Sequence, residues 1–235
     1  MKLIMDISKP LNESIENVFV TGINFKNANV NIRSAFSINS VQILRCHELA
    51  KKHGFKDFVV LSTCNRTEIY GIGSITIAEQ IISEVCGQDL TLFDNYKFVK
   101  TSGTALEHIF HVASGLDSQI LGDYEILGQF RNACKISKEN LLLGPLFERM
   151  ANTCIQASKE IKTKTALSQG TVSATYAAIE VIKERFDRKT INILLIGTGK
   201  FGNNIAKNIK HYLPWVQLTL SNRTHIKAKE ISDSH

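Results

Sequence analysis

The segment from Phe58 to Tyr70 constrains the fold more than any other part of the chain. An apolar run, Phe58 to Leu61, is typical of a buried strand, and Ile69 with Tyr70 begins a second strand after a stretch of polar residues. This stretch contains no Gly or Pro, the usual turn formers. It carries a thiol, an amide, a guanidinium and hydroxyl groups within a few positions. The sequence therefore predicts two strands joined by a turn whose side chains are suited to chemistry.

Cys64 is the candidate nucleophile of this turn. If the segment stays extended, Cys64 and Arg66 point to the same side, because side chains alternate along a strand. A fixed positive charge near a thiol favours the thiolate, and a free cysteine has a pKa of about 8.5. The alternative is a small buried cysteine beside a surface ion pair. The segment alone does not choose between the two.

The composition sets broad limits on the protein. Its 235 residues, 43% hydrophobic and 21% charged, predict a soluble globular chain with one large or two modest domains. No apolar run approaches the roughly 20 residues that span a membrane, and the first ten residues lack a signal-peptide core. The five cysteines include no Cys-x-x-Cys pair, which argues against a disulfide framework or a metal site. We therefore expect a cytoplasmic protein in a reducing compartment.

The charge is uneven along the chain. Residues 146–235 hold 14 Lys and Arg against 7 Asp and Glu, whereas residues 1–145 hold 14 against 15. A basic half indicates a polyanionic partner such as RNA. Solvent-exposed helix faces rich in lysine would give the same excess of positive charge, so the charge alone does not decide whether the protein binds RNA.

The first part of the chain alternates strands and helices. Strands are predicted at 17–24, 57–61, 67–72 and 96–100, and helices at 34–53 and 75–86. The order βαββαβ is that of a small split βαβ domain of the ferredoxin-like type.

The next part is helical. A capping box at Thr104–Glu107 predicts the start of a helix that carries His108 and His111. Further helices are predicted at 130–140, 146–164 and 171–186, with no strand in 103–189. The stretch 113–129 between them is rich in Gly yet contains Leu and Ile. It offers hydrogen-bonding groups at Ser118, Asp123, Glu125 and Gln129. It is either a backbone held close to a ligand or a capped helix–loop–helix corner.

The last part predicts a nucleotide site. An almost unbroken apolar strand at 190–196, typical of a parallel sheet covered on both faces, leads through a Gly-x-Gly-x-x-Gly turn into a helix at 203–212. Such glycines allow a tight turn and a close approach to a pyrophosphate. The turn comprises Gly197, Thr198, Gly199, Lys200, Phe201 and Gly202. A second strand, 215–220, is followed by Ser221, Asn222, Arg223 and Thr224.

The residues after this second strand favour NADP. An Arg with hydroxyl groups suits a 2′-phosphate, whereas an NAD site usually has an acidic residue there. The alternative interpretation of Arg223 is an exposed residue next to a helix cap, without a role in binding. The predicted fold class is thus α/β: a ferredoxin-like α+β domain with a helical region, then the beginning of a Rossmann-type doubly wound domain. We predict domains at 1–145, 146–189 (helical linker) and 190–235. Two strands are too few for a doubly wound sheet, so we expect a truncated form.

Three motifs occur in order along the chain. They are Ser62–Tyr70, then Ser114–Ser118 with Ile126–Gln129, and finally the Gly197–Gly202 turn with Asn222–Thr224. Together they resemble the glutamyl-tRNA reductase family over nearly the whole chain. The resemblance implies NADPH-dependent reduction of glutamyl-tRNA(Glu) to glutamate-1-semialdehyde, the first step of the five-carbon route to tetrapyrroles.

The resemblance also implies roles for individual residues. The Cys64 thiolate would attack the ester carbonyl, leave a thioester and release tRNA, and NADPH would then deliver a hydride. Arg66 would hold the substrate carboxylate bidentately. Thr63, Asn65, Ser118 and Gln129 match family positions that bind the glutamyl group. His108 matches a family histidine near the reacting centre, a choice over His111 that the residues alone do not make.

The chain departs from the family at one point. Asp123, Tyr124 and Glu125 stand where much of the family has Glu-Pro-Gln. We keep these three as candidate substrate-binding residues, with the role of Glu125 left open because it places a charge near a carboxylate substrate.

The resemblance implies partners as well. Glutamate-1-semialdehyde aminotransferase would take up the product, and full-length family members form a homodimer. In a truncated form we expect poor NADPH binding and no such dimer, while thioester formation followed by slow hydrolysis survives. The alternative function is a tRNA-binding or regulatory fragment with at most esterase-like activity. A shikimate-dehydrogenase-like enzyme shares the Asn-Arg-Thr element but requires a Lys/Asp pair near the N-terminus, which is not found.

Overall fold

Four antiparallel strands form the first sheet. They are β1 Val18–Asn24, β2 Asp57–Ser62, β3 Arg66–Ile72 and β4 Phe98–Thr101. The order across the sheet is β2-β3-β1-β4, and every neighbouring pair is antiparallel. All four predicted strands are confirmed to within two residues at each end. Successive side chains along a strand enter opposite faces of the sheet. Because helices cover both faces, β1 and β3 are buried along almost their whole length.

The structure, a computed structural model, describes residues 16–123, 125–165, 167, 174–186 and 189–234. The chain divides into two compact units, residues 1–165 and 166–235, which are described here one at a time. The three-part division expected from the sequence stays a prediction.

The single helix predicted at 34–53 is wrong. The structure has two helices there, α1 Val30–Ala35 and α2 Ser40–Lys52. The cause is local capping: Asn29 caps α1 through the N–H groups of its first turn, and Asn39 with Gln42 forms a capping box that starts α2.

The remaining helices of the first unit follow the sequence more closely. They are α3 Ile75–Cys86, α4 Leu90–Asp94, α5 Ser102–Ser114, α6 Glu125–Glu139 and α7 Pro145–Lys164. Helix α3 is as predicted and α7 begins one residue earlier than predicted, whereas α4 was not predicted. The start predicted for α6 at 130 is wrong, because the helix already begins at Glu125. Helix α5 begins before the predicted capping box, because the N–H of Thr101 donates to Thr104 Oγ1 (3.3 Å).

Two hydrophobic clusters cover the two faces of the first sheet. Val20, Val59 and Tyr70 pack with residues of α5, α6 and α7. Phe19, Phe58 and further residues of the opposite face pack with residues of α1, α2, α3 and α4. The β2–β3 hairpin is therefore packed on both faces, and the turn at its end is anchored to this core.

The second unit is a parallel strand pair with helices. It comprises α8 Ala174–Phe186, β5 Ile191–Ile196, α9 Lys200–Tyr212, β6 Val216–Ser221 and α10 His225–Ser234. Strands β5 and β6 pair in parallel. The predicted cover on both faces is wrong for the described residues, since Leu194 and Ile196 are 59% and 77% exposed. The apolar cluster of this unit, around Ile179 and Ile209, lies on the other side of the pair. None of the helices described has the length and apolarity to cross a membrane.

Candidate active site

The turn between β2 and β3 presents Cys64. The N–H of Thr63 donates to the carbonyl oxygen of Arg66 (2.8 Å), and the N–H of Asn65 donates to Thr63 Oγ1 (3.2 Å). The threonine hydroxyl thus takes the place of the usual Gly or Pro in stabilising the turn. The chain bends at Cys64 and Asn65 instead of staying extended. The argument from strand alternation, which placed Cys64 and Arg66 on one side, is therefore wrong.

Cys64 is the exposed thiol of this protein. The other four cysteines are buried or half-buried. Burial raises the pKa of Cys46, Cys134 and Cys154 to about 12 and that of Cys86 to about 11. These four thiols are protonated at neutral pH, and a protonated thiol is a poor nucleophile. The alternative of a buried structural cysteine at position 64 is excluded.

An arginine from α1 fastens this turn. Arg33 Nε donates to the carbonyl oxygen of Cys64 (3.2 Å), and its Nη1 donates to that of Ala28 (2.7 Å). The guanidinium next to the Cys64 backbone is therefore that of Arg33, a residue that the sequence analysis did not single out.

The Arg66 guanidinium is buried behind the turn. Its side chain is 1% exposed and bonds two acidic residues. Nη1 donates to Glu68 Oε1 (2.8 Å) and Asp117 Oδ2 (3.2 Å), and Nη2 donates to Asp117 Oδ2 (3.2 Å) and to the Asp117 carbonyl oxygen. These four contacts use all four terminal N–H groups of the guanidinium. A bidentate grip on a substrate carboxylate stays a prediction, and it requires one of these bonds to break.

Glu68 connects Arg66 to His108. Glu68 is fully buried, and its Oε2 accepts from the Tyr70 hydroxyl (2.6 Å) and lies 3.0 Å from His108 Nε2. Burial alone would raise its pKa, but the Arg66 charge and the bonds from His108 and Tyr70 lower the pKa of Glu68 to about 2. An ionised carboxylate only accepts, so Nε2 of His108 carries a proton.

The structure separates the two candidate histidines. His108 is 5% exposed and stacks on Phe98, with ring centroids 5.0 Å apart. His111, one turn later on α5, is exposed. Only His108 has the fixed orientation that Glu68 provides.

The loop after α5 closes on itself. Gly115 has φ of +79°, and a Cβ there would lie 2.9 Å from the carbonyl oxygen of Asp123. The N–H of Gly122 donates to the Gly115 carbonyl oxygen (2.9 Å), and Asp123 Oδ1 accepts from the Glu125 N–H (2.9 Å) at the start of α6. Of the two alternatives for this stretch, Asp123 therefore has the geometry of a residue that caps a helix–loop–helix corner.

The other predicted substrate contacts differ in exposure. Thr63, Asn65 and Ser118 are half-buried, and Gln129 is exposed on α6. Tyr124 lies outside the described residues. Binding by any of these residues stays a prediction.

A cleft of about 420 Å³ opens beside His108. Asn24, Lys26, Lys100, His111 and Asp117 contribute to its walls. The Lys26 ammonium pairs with Asp117 Oδ1 at its rim. Sequence reasoning did not single out Lys26, and it gave no role to Asp117 although Asp117 lies in the Ser114–Ser118 motif, because no local pattern joins residues 91 positions apart.

The glycine turn of the second unit is tightly packed. Gly197 has φ of +98°, and a Cβ on Gly202 would lie 1.9 Å from the Gly197 carbonyl oxygen, so only glycine fits at 202. A Cβ on Gly199, the N-cap of α9, would meet nothing within 4 Å. The buried Thr198 Oγ1 has no hydrogen-bond partner.

These features fit a dinucleotide. A helix start that has no side-chain cap, with open space around the Cβ position of Gly199, suits the pyrophosphate of NADPH. Phe201 is half exposed in the first turn of α9. The side chain of Lys200 lies outside the described residues.

Asn222 joins the glycine turn to the segment after β6. Its Oδ1 accepts from the Thr198 N–H (3.2 Å), and its Nδ2 donates to the Thr224 carbonyl oxygen (2.9 Å). The N–H of Gly197 donates to the Ser221 carbonyl oxygen (2.7 Å). Arg223 is exposed. Asn222 therefore holds the loops in place, while Arg223 is accessible to a ligand phosphate.

The fold and the site define a class: a mixed α/β protein with an exposed thiol on a braced hairpin turn. The family model for "Glutamyl-tRNAGlu reductase, N-terminal domain" matches residues 21–165. The chain belongs to the glutamyl-tRNA reductase family.

Individual relatives agree with this assignment. The glutamyl-tRNA reductase of Christiangramia forsetii is 39% identical over 218 residues, covering 91% of this chain and 52% of that protein. The enzyme of Aquifex aeolicus is 33% identical, with 91% and 53% covered. The solved glutamyl-tRNA reductase of Methanopyrus kandleri matches with a TM-score of 0.64 and 26% identity, over 93% of this chain and 52% of that one. The chain spans about half the length of the relatives it matches.

Proposed function

We propose that the protein acts on glutamyl-tRNA(Glu) through a thioester on Cys64, as part of NADPH-dependent reduction to glutamate-1-semialdehyde in tetrapyrrole synthesis. The observation that carries the proposal is the exposed Cys64 on its turn fastened by Arg33, two residues before Arg66, whose buried guanidinium bonds the Glu68 carboxylate that contacts His108. In our interpretation the first sheet and the helices packed on it form a ferredoxin-like domain, and residues 190–235 begin a Rossmann domain.

The proposed first step is acyl transfer. The Cys64 sulfur forms a bond to the ester carbonyl carbon, the bond from that carbon to the tRNA ribose oxygen breaks, and the proton lost by the Cys64 thiol is balanced by the one that the ribose oxygen takes up. Glu68 holds His108 in one orientation for this step, because Nε2 must donate to the carboxylate. Thr63, Asn65, Ser118 and Gln129 are proposed to contact the glutamyl group.

NADPH, when bound, supplies the hydride that reduces the thioester to the aldehyde and returns the Cys64 thiolate. The residues proposed to hold it are the Gly197–Gly202 turn and Arg223, with Asn222 and Ser221 holding the turn in place. Glutamate-1-semialdehyde aminotransferase and a second subunit are proposed partners of the whole protein.

Deacylation of glutamyl-tRNA without NADPH tests the acyl-transfer step. We expect the protein to accelerate deacylation, Cys64→Ser to lose the acceleration, and Cys86→Ser, a half-buried control, to keep it. Acceleration that survives in Cys64→Ser would contradict the thioester. No acceleration by the folded wild-type protein would favour a tRNA-binding fragment.

A further inference from the structure

The leaving group of the proposed reaction carries a fixed negative charge. In an aminoacyl-tRNA the ester is formed by the terminal ribose, and the phosphate of the same nucleotide is separated from the ester only by that ribose. Contacts to phosphates fix the position and orientation of a nucleic acid on a protein. A cation beside Cys64 would therefore help to place the ester carbonyl at the sulfur.

Arg33 is such a cation, and its distance from the sulfur is limited by covalent geometry. Its Nε donates to the carbonyl oxygen of Cys64 itself, at 3.2 Å. The carbonyl oxygen of a cysteine and its own Sγ are joined through the Cα and Cβ atoms, a path that spans at most about 5 Å. Arg33 Nε therefore lies within about 8 Å of the Cys64 sulfur in every rotamer of the cysteine.

The charge of Arg33 is not neutralised by an acidic residue in the part of the chain that the structure describes. The half-buried side chain bonds two backbone carbonyl oxygens, that of Cys64 through Nε and that of Ala28 through Nη1. A guanidinium has five N–H donors, and the two N–H groups of Nη2 have no acceptor among the described residues. Arg33 therefore combines a fixed position with donors that a ligand can use.

Two other cations of the candidate site have acidic partners. Arg66 bonds Glu68 and Asp117, and Lys26 pairs with Asp117. The guanidinium fork, with its free N–H groups, matches the oxygens of a phosphate. We propose that Arg33 binds the phosphate of the terminal nucleotide of glutamyl-tRNA, an inference that rests on the proposed function. Arg33 is then a positioning residue, because one guanidinium holds both the backbone of the nucleophile and the leaving group of the ester.

The test uses two small esters that differ only in the phosphate, 2′(3′)-O-glutamyl-adenosine and its 5′-phosphate. We expect the wild-type protein to deacylate the phosphorylated ester with a kcat/KM at least about tenfold higher, because hydrogen bonds to charged groups are strong. Arg33→Met should abolish this preference, and Arg33→Lys should restore part of it, since an ammonium also pairs with a phosphate. Arg45→Met, an exposed control paired with Glu48 on α2, should keep the wild-type preference.

The ratio of the two kcat/KM values isolates the phosphate contact from the bond of Arg33 to the turn. A variant that only loosens the turn lowers both values alike and leaves their ratio unchanged. An Arg33→Met protein with the wild-type ratio would therefore overturn the inference, and so would a wild-type protein without a preference for the phosphorylated ester.

A binding measurement separates this inference from the proposed function. Adenosine 5′-phosphate and adenosine serve as probes, followed by NMR shifts of the Arg33 Nε–H and of the backbone amides of Cys64 and Asn65. We expect saturable shifts with the phosphate only, and their loss at both amides in Arg33→Met. Such shifts support the inference even if the protein deacylates neither ester nor glutamyl-tRNA, an outcome that would refute the proposed function alone. A wild-type protein that deacylates glutamyl-tRNA but shows no such shifts overturns the inference and leaves the proposed function standing.

Discussion

Cys64 is accessible because the chain bends there while its neighbours on both strands are buried. The other thiols lie in hydrophobic clusters or are half-buried, with pKa values raised to about 11 or 12. The difference in reactivity is set by the fold, and it is measurable without any substrate.

We expect iodoacetamide to alkylate Cys64 at least about tenfold faster than any other cysteine at pH 7.5, because alkylation requires an accessible thiolate. Peptide mass spectrometry at timed intervals gives the five rates. Cys64→Ser should remove the fast phase and Cys86→Ser should leave it. A fast phase that maps to another cysteine would contradict this description of the site.

His47 is a buried group unrelated to the site. Burial, with a smaller effect of Lys51, lowers its pKa from 6.5 to about 4, and its Nδ1 has no hydrogen-bond partner. The unfolded chain therefore binds this proton at a higher pH than the folded protein does. Stability from the neutral ring is complete above pH 6.5 and is lost as the pH falls towards 4.

We expect this histidine to contribute a loss of about 2 kcal/mol in the free energy of unfolding between pH 7 and pH 5. Urea denaturation at both values, compared between wild type and His47→Leu, isolates the contribution. Glu68 does not interfere with this comparison. Its pKa falls from 4.5 in the unfolded chain to about 2 in the folded protein, so the stability that it contributes is lost only below pH 4.5. His53→Leu, an exposed control, should keep the wild-type difference, and an unchanged difference in His47→Leu would refute the assignment.

At the scale of elements, the sequence predicts those strands and helices whose bounds depend on residues close together in the chain. The strands of the first sheet and helix α3 follow from apolar periodicity and a terminal glycine, Gly87. The division of 34–53 into two helices depends on the caps Asn29 and Asn39, which are local signals in the sequence. The bonds of Asp117 to Arg66 and Lys26 join residues 51 and 91 positions apart, and no local pattern predicts them.

The glycine turn before α9 gives a prediction about packing. Gly202→Ala places a methyl group 1.9 Å from the Gly197 carbonyl oxygen, so the helix has to shift. We expect a loss of about 1 to 3 kcal/mol in the stability of the second unit. Trp215, the single tryptophan and part of that unit's apolar cluster, reports its unfolding by fluorescence.

Gly199→Ala is the matched control for this substitution. Its methyl group meets open space, so the cost should stay at about 1 kcal/mol or less, the effect of replacing a glycine N-cap by alanine. Equal losses in the two variants would mean that the close approach at Gly202 does not limit the packing of the turn.

At the scale of the molecule, the residues of the proposed acyl-transfer site lie in the first unit. Both hydrophobic clusters around the first sheet are formed by residues before 166. Residues 1–165 therefore contain a complete core together with Cys64, Arg66 and His108.

We expect residues 1–165, expressed alone, to fold and to keep the fast alkylation of Cys64. The thermal midpoint by circular dichroism should lie within about 5 °C of the corresponding transition in the whole chain, since the core is the same. A fragment without a cooperative transition would show that the first unit depends on residues after 165.

The central claim is that Cys64 accepts the glutamyl group, and an intact mass measurement tests it most directly. Wild-type protein is mixed with glutamyl-tRNA in the absence of NADPH, quenched in acid and weighed, with Cys64→Ser in parallel. We predict an added glutamyl mass that hydroxylamine removes, that maps to Cys64 and that is absent from the variant. Deacylation of the tRNA with no adduct on Cys64, or an adduct that persists in Cys64→Ser, would contradict the account.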